Sequence, residues 1–237
     1  MTDKFNRKIE YARISVTDRF KYCMPASGVE KISHEEILTF EEILRVVKIF
    51  SRLGIKKIRL TGGEPLLRKN ICELVTAIKK IPEIEKVVLT TNGVLLKDFA
   101  QSLTAAGIDG INLSLDTLGE KIFAELTRRN FFEKVLDGLK ILLEKNLPVK
   151  INCVSLRGVN DGEILKLVEL AKNNPVKVRF IELMPIGCAK KFSGVPTAEI
   201  FNLIEKSFGA LTAVQEKNYL DGPAKYFSAK NWANWIY

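Results

Sequence analysis

The sequence predicts an α/β fold, an incomplete barrel of six β/α units that is open on one side. Three observations predict it. Short β-branched runs alternate with longer amphipathic stretches, the pattern of βαβ units and a parallel sheet. Nearly every run is flanked by a helical stretch, and right-handed crossovers repeated in this way wind a sheet toward a barrel. The sixth run ends at Ile181 of 237 residues, whereas a closed eight-unit barrel takes about 250 residues. A doubly wound open sheet is the alternative that the pattern also admits.

Tyr11–Val16 is the first predicted strand. FEEILRVVKIFSRLG follows, with apolar residues at Ile43, Leu44, Val46, Val47 and Phe50, which is helical spacing. Thr39 and Glu42 form a capping box at its start, and Gly54 stands where the helix should stop. Lys57–Leu60 is the second strand and KNICELVTAIKKI its helix. Lys86–Leu89 is the third, followed by KDFAQSLTAAG. Gly110–Leu115 is the fourth, and FFEKVLDGLKILLEKN precedes the fifth, Val149–Val154. NDGEILKLVELAKNN precedes the sixth, Val176–Ile181. Beyond Met184, PIGCAKKFSGV reads as a loop and TAEIFNLIEKSFG as a helix with Thr197 as N-cap. Residues 1–208 are therefore read as the partial barrel and 209–237 as an irregular tail.

Composition narrows the function. Hydrophobic residues make up 46% and charged residues 27%, ordinary globular usage, which excludes a disordered or low-complexity chain. No apolar run reaches the ~18 residues of a membrane span. MTDKFNRKIEYAR has no apolar core, so no signal peptide is expected and the cytoplasm is the expected compartment. The formal charge of +9 favours an acidic partner. The lysines are scattered through helical segments, without a block of like charge or a nucleic-acid-binding motif. A small anionic ligand is expected rather than nucleic acid or a membrane.

The four cysteines, Cys23, Cys72, Cys153 and Cys188, form no C-x-x-C pair and no disulfide framework. Cys72 and Cys153 read as small apolar residues. His34, the single histidine, is expected near a helix start.

In parallel barrels the site lies at the C-terminal ends of the strands. Here those ends read RLTGGEPLLR, LTTNG, NLSLD and RFIELMP. In Thr61-Gly62-Gly63-Glu64-Pro65 two glycines permit close backbone approach. Such a strand can offer carbonyls and a carboxylate to a cationic group such as an amine. Asn92 sits in a turn, and Ser114 and Asp116 share one face. Arg13, Arg59, Lys150 and Arg179 lie on four different apolar strands. Cations are rarely buried unless paired, so four of them suggest a funnel for a polyphosphate.

RISVTDR, YCMP, IRLTGGEPLLR, LTTNG, INLSLD, GVNDGEI and RFIELMP together resemble the radical S-adenosylmethionine GTP 3′,8-cyclases of molybdenum cofactor biosynthesis. The resemblance runs from about residue 5 to about residue 227 and implies a partial barrel of the radical S-adenosylmethionine type. It implies conversion of GTP to (8S)-3′,8-cyclo-7,8-dihydroguanosine 5′-triphosphate, with a [4Fe–4S] cluster and S-adenosylmethionine as cofactors. By motif, Tyr22, Gly62, Gly63, Glu64, Asn92, Ser114 and Met184 match S-adenosylmethionine positions. Arg13, Arg59, Thr90, Lys150 and, more weakly, Arg179 match GTP positions. Cys23 matches one cluster ligand. The resemblance also allows a homodimer and places the reaction upstream of cyclic pyranopterin monophosphate synthase.

One departure bears on activity. The family's loop reads C-x-x-x-C-x-x-C before Met-Pro. Here only Phe20, Lys21, Tyr22 and Cys23 stand between Arg19 and Met24, half that length, and two of the three cysteines are missing. The resemblance stops after Phe227, so the family's C-terminal cluster region is expected to be absent. Trp232 and Trp235 would then cover part of the face it leaves exposed. Three readings follow: a cyclase with an impaired cluster site, a non-catalytic binder of GTP and S-adenosylmethionine, and an unrelated phosphate-binding barrel enzyme. The TGGEP, TTNG and SLD series disfavours the third.

Overall fold

The computed structural model describes residues 2–19, 33, 36–214 and 225–229, apart from the Cys188 side chain. Tyr22, Cys23, His34, Trp232 and Trp235 lie outside the described residues. Six strands form one sheet in the order of the chain: β1 (Tyr11–Ser15), β2 (Lys57–Thr61), β3 (Lys86–Thr91), β4 (Gly110–Ser114), β5 (Val149–Val154) and β6 (Val176–Ile181). β1 with β2, β2 with β3, and β5 with β6 pair in parallel. Consecutive neighbours joined by helices are what repeated βαβ units produce. The fifth and sixth strands have the bounds read from the sequence. β2 and β3 run on through threonines, to Thr61 and Thr91, while β1 and β4 end one residue earlier than read, at Ser15 and Ser114.

The chain divides into two compact units, Met1–Asn112 with Lys134–Leu147, and Leu113–Glu133 with Pro148–Tyr237. In the first, α1 (Phe40–Arg52) opens on the expected capping box: Glu42 N–H donates to Thr39 Oγ1 and Thr39 N–H to Glu42 Oε2. Its buried residues, Ile43, Val47 and Ser51, recur every four positions, one face of a helix. Gly54 takes φ 92° and ends it. α2 (Ile71–Lys79) buries Ile71, Leu74, Val75 and Ile78, and α3 (Leu96–Ala105) buries Leu96, Ala100 and Leu103. Asp109 ties a strand to a helix here. Its carboxylate accepts from Val87 N–H at 2.6 Å and from Lys79 Nζ at 2.8 Å. α5 (Phe132–Glu144) is the helix that the sequence places before β5.

In the second unit β5 and β6 alternate strictly. Val149, Ile151, Cys153, Val176, Val178 and Phe180 are buried, while Lys150, Asn152, Lys177 and Arg179 are half-buried on the opposite face. α6 (Ile164–Asn173) packs Ile164, Leu167, Val168 and Ala171 inward, and α7 (Thr197–Phe208) packs Ile200 and Ile204.

Three expectations need correction. Thr197 is not the N-cap of α7; Pro196 is, and Thr197 is the first helical residue. Its N–H and hydroxyl both donate to Glu182 Oε1, at 3.1 and 2.7 Å, so a carboxylate from beyond β6 satisfies the helix start. α4 (Glu120–Thr127) was not anticipated, because eight residues with one buried side chain give little periodicity. The tail, read as irregular, contains β7 (Leu211–Ala213) and β8 (Phe227–Ala229), paired antiparallel. Phe227 stacks edge-on against Phe201 of α7, with ring centroids 4.5 Å apart.

Candidate functional site

The first unit builds its part of the site on β1, β2 and β3. Arg13 and Arg59 are register partners on adjacent strands. Arg13 reaches Thr61 Oγ1 at 3.4 Å, and the Arg59 guanidinium lies 5.2 Å from the Tyr11 ring centre, a cation–π contact. Past Thr61 the pairing continues without regular strand structure. Val16 N–H donates to Thr61 O, Gly63 N–H to Thr17 O and Glu64 N–H to Arg19 O, at 2.7–2.8 Å. Gly62 has φ +140°, and a Cβ there would lie 2.3 Å from Thr17 O. The glycine is required both by the left-handed conformation and by the close approach of the 16–19 backbone.

Glu64 does not offer its carboxylate outward. It is 2% exposed. Oε1 accepts from Leu66 N–H at 3.1 Å and Thr91 Oγ1 at 2.8 Å, and Oε2 from Asn92 N–H at 2.9 Å. Burial pushes its pKa above the usual carboxylate value, and the three donors offset only part of that. The TGGEP and TTNG segments are thereby joined through one side chain. Asn92 closes its own turn, with Oδ1 accepting from Val94 N–H. Thr90 Oγ1 is buried without a hydrogen-bond partner among the described residues. Arg68 donates to Val16 O and Leu38 O and stacks 4.5 Å from the Phe40 ring centre, which braces the segment leading toward Cys23. Sequence reasoning missed that role, although Arg68 stands within the motif it quoted.

The second unit gathers the other two cations. Lys150 and Lys177 are register partners, as are Asn152 and Arg179. Lys150 Nζ and Arg179 Nη2 both donate to the Tyr226 hydroxyl, at 2.9 and 3.1 Å. Lys150 and Lys177 also lie 5.1 and 5.2 Å from the Tyr226 ring centre. The Tyr226 backbone carbonyl accepts from Val214 N–H at 2.8 Å, extending the β7–β8 ladder and fixing the ring. Burial alone would raise the phenol pKa. The hydrogen bond from Lys150 and the charges of Lys150 and Arg179 outweigh it, and the pKa falls below 10. Tyr226 was missed in sequence reading. Its one signal was its place in GPAKYF, inside the span of the family resemblance.

Ser114 ends β4 and is exposed, and Met184 follows β6 with 69% exposure. Asp116 turns back into the fold: its Oδ1 accepts from Val154 N–H at 2.8 Å. Burial pushes its pKa up to about 6. Asn160 of GVNDGEI donates to Asp116 O and Val154 O, and Glu163 of the same segment accepts from Thr117 Oγ1 and Leu118 N–H. The NLSLD and GVNDGEI segments thus brace one another. The four strand cations stand as two pairs, Arg13 with Arg59 and Lys150 with Arg179.

Among the described residues no three thiolates stand together to hold an iron–sulfur cluster. The chain has four cysteines. Cys153 is 1% exposed on β5, and burial pushes its thiol well above the ordinary value, with Asp116 adding to the rise. Burial also raises the Cys72 thiol on α2. Neither forms thiolate readily. Cys23 lies outside the described residues. Among the described residues no group of three or more His, Cys, Asp or Glu could hold a metal ion, and no helix is long and apolar enough to cross a membrane.

Comparison with known proteins fits this geometry. The Radical SAM superfamily model matches residues 21–171. The GTP 3′,8-cyclase of Clostridium perfringens (strain SM101 / Type A) is 49% identical over 96% of this chain and 72% of its own length. That of Syntrophomonas wolfei subsp. wolfei is 47% identical over the same shares. Among solved structures, Streptococcus suis SuiB bound to S-adenosylmethionine superposes with a TM-score of 0.72 at 17% identity, over 84% of this chain and 48% of that one. That likeness shows the fold, the incomplete α/β barrel read from the sequence. With identity near one half across almost its whole length, this chain belongs to the GTP 3′,8-cyclase family of the Radical SAM superfamily.

Proposed function

We propose that the chain binds GTP and S-adenosylmethionine as a GTP 3′,8-cyclase of molybdenum cofactor biosynthesis, with the cluster-dependent step impaired. The carrying observation is the polar face of β5 and β6. It presents Lys150, Lys177 and Arg179, and neither strand contains an acidic residue. Such a face attracts a polyphosphate and leaves no fixed negative charge on the two strands to repel it.

Lys150 and Arg179 would hold phosphate oxygens, and Arg13, Arg59 and Thr90 complete the GTP contacts. S-adenosylmethionine would be held by Tyr22, by the backbone of Gly62, Gly63 and Glu64, and by Asn92, Ser114 and Met184. The internal hydrogen bonds of the Glu64 carboxylate leave its backbone as the part that can meet the ligand's amine. One cysteine in the 20–25 segment does not make a three-thiolate cluster site. The reading places the chain in the cytoplasm, upstream of cyclic pyranopterin monophosphate synthase, and it is compatible with a homodimer.

Calorimetry with GTP tests the binding reading. Saturable binding is expected, and its absence overturns the reading. A cyclase assay on anaerobically reconstituted protein with GTP, S-adenosylmethionine and reductant is expected to give no product. Multiple-turnover product would show that the cluster step is intact.

A further inference from the structure

Lys150, Lys177 and Arg179 crowd one face of two adjacent strands. Like charges so close repel one another and would splay outward. One neutral oxygen holds two of them together. The Tyr226 hydroxyl accepts from Lys150 Nζ at 2.9 Å and from Arg179 Nη2 at 3.1 Å. Both of its lone pairs serve these two cations. The phenol is 7% exposed, and its backbone is pinned by the β7–β8 ladder. Arg179 Nε and Asn152 Oδ1, on register partners beside it, are buried without hydrogen-bond partners among the described residues. Among the described residues, these two atoms leave a donor and an acceptor unused beside the pair of cations.

We propose that Tyr226 is a positioning residue for the triphosphate: its hydroxyl sets Lys150 and Arg179 at a common point, so that a polyphosphate meets a preset pair of cations. This rests on the GTP-binding reading and goes beyond it, because it gives a role to a residue that reading does not use. Preset donors need not be ordered when the ligand arrives, so affinity rises with no added contact to the ligand. Among the described residues, the charged groups facing Tyr226 are Lys150 from β5 and Lys177 and Arg179 from β6, all positive. A bound polyphosphate would offset that positive field. Ionisation of the phenol and binding of the anion must then oppose each other, and by the same factor in both directions.

The test uses the whole chain with GTP and inorganic tripolyphosphate as probes. Tyr226→Phe removes the oxygen and keeps the ring. It is expected to weaken GTP binding by about tenfold, the scale of lost hydrogen bonds to charged groups. In the wild type, tyrosinate absorbance is followed against pH and corrected by the Y226F spectrum. Saturating tripolyphosphate is expected to move the Tyr226 ionisation to higher pH, a readout that a merely structural tyrosine would not give. Wild-type binding of GTP, with Y226F within about twofold or with the tyrosinate curve unmoved, overturns this proposal and leaves the GTP reading standing. Failure of the wild type to bind either probe overturns both.

Discussion

Thr91 Oγ1 donates to Glu64 Oε1 at 2.8 Å, deep in the first unit. The carboxylate also takes Leu66 N–H and Asn92 N–H, so every partner is a donor. Glu64→Gln puts an amide NH2 where one oxygen accepts and sets donor against donor. A buried unsatisfied donor costs about 1–3 kcal/mol, so E64Q is expected to lower unfolding stability by that amount. Because the folded pKa of Glu64 is raised, its contribution is fully present below the unfolded pKa and is lost as pH rises through the folded one. The penalty of E64Q should therefore be largest at acid pH. Chemical denaturation across pH checks this, and an unchanged midpoint would remove Glu64 as the tie between the two strand ends.

Asp116 has a wider pH signature. Its folded pKa is pushed up to about 6 from 3.8. The folded state therefore binds the proton more tightly than the unfolded state does. The linked stability is full below pH ~4 and is lost between about 4 and about 6. A shift of that size corresponds to about 3 kcal/mol. Asp116→Asn cannot titrate, so the stability difference between wild type and D116N should change by roughly that amount across the window. Urea denaturation at several pH values reads it, and a pH-independent difference would contradict the assignment.

The fold was legible because its signal is redundant. Six β-branched runs, a capping box at Thr39 and Glu42, and stop glycines such as Gly54 all point to the same units. The site was legible in part. Arg13, Arg59, Lys150 and Arg179 stand out as charges in apolar strands, but nothing in a linear pattern tells which acceptor a cation will find. Tyr226 sits in a segment without periodicity, and its contacts span 76 and 47 residues. Glu64 was read as facing a ligand, since a carboxylate after two glycines has no sequence mark of being turned inward. Thr197 looked like a cap because threonine often is one. The decisive partner, Glu182, lies 15 residues earlier.

Gly62 and Gly162 make a paired test of backbone space. At Gly62 a Cβ would lie 2.3 Å from Thr17 O and 2.9 Å from Thr17 N, with φ +140°. Neither backbone atom can rotate away as a side chain could. Gly62→Ala is expected to cost about 2 kcal/mol or more through strain and displacement of the 16–19 segment. At Gly162, in the short 3-10 helix Asp161–Glu163, a Cβ meets nothing within 4 Å. Gly162→Ala should be neutral or stabilising by up to about 1 kcal/mol, because it narrows the unfolded ensemble. Thermal melts of both variants decide it; equal effects would mean the close approach at Gly62 does not hold in solution.

Lys150 carries the GTP prediction. Lys150→Ala removes a charge-assisted donor to phosphate and also leaves the Tyr226 hydroxyl with one cation. A loss of about tenfold or more in GTP affinity is expected. The loss should shrink at high salt, where screening already weakens the wild type. Lys140→Ala, at an exposed position of α5, is the control and should stay within about twofold. Equal losses in both variants would point to general surface charge rather than a site.

Iron and sulfide content after anaerobic reconstitution separates a binding protein from a complete cyclase. A [4Fe–4S] cluster in this family needs three thiolates, with S-adenosylmethionine at the fourth iron. The 20–25 segment supplies Cys23 alone. Cys153 is locked in β5, where burial and Asp116 keep its thiol protonated, and Cys72 is on a helix with its thiol raised by burial. Freeing Cys153 would take local unfolding, and the half-buried Cys72 alone cannot complete a three-thiolate set with Cys23. Content near zero per chain is therefore expected, together with GTP binding that does not change when iron is chelated. Cys23→Ser should leave both values where they are. Stoichiometric iron and sulfide that C23S abolishes would mean that other thiolates, from this chain or a second copy, complete the cluster around Cys23. The impairment read from the shortened loop would then be wrong.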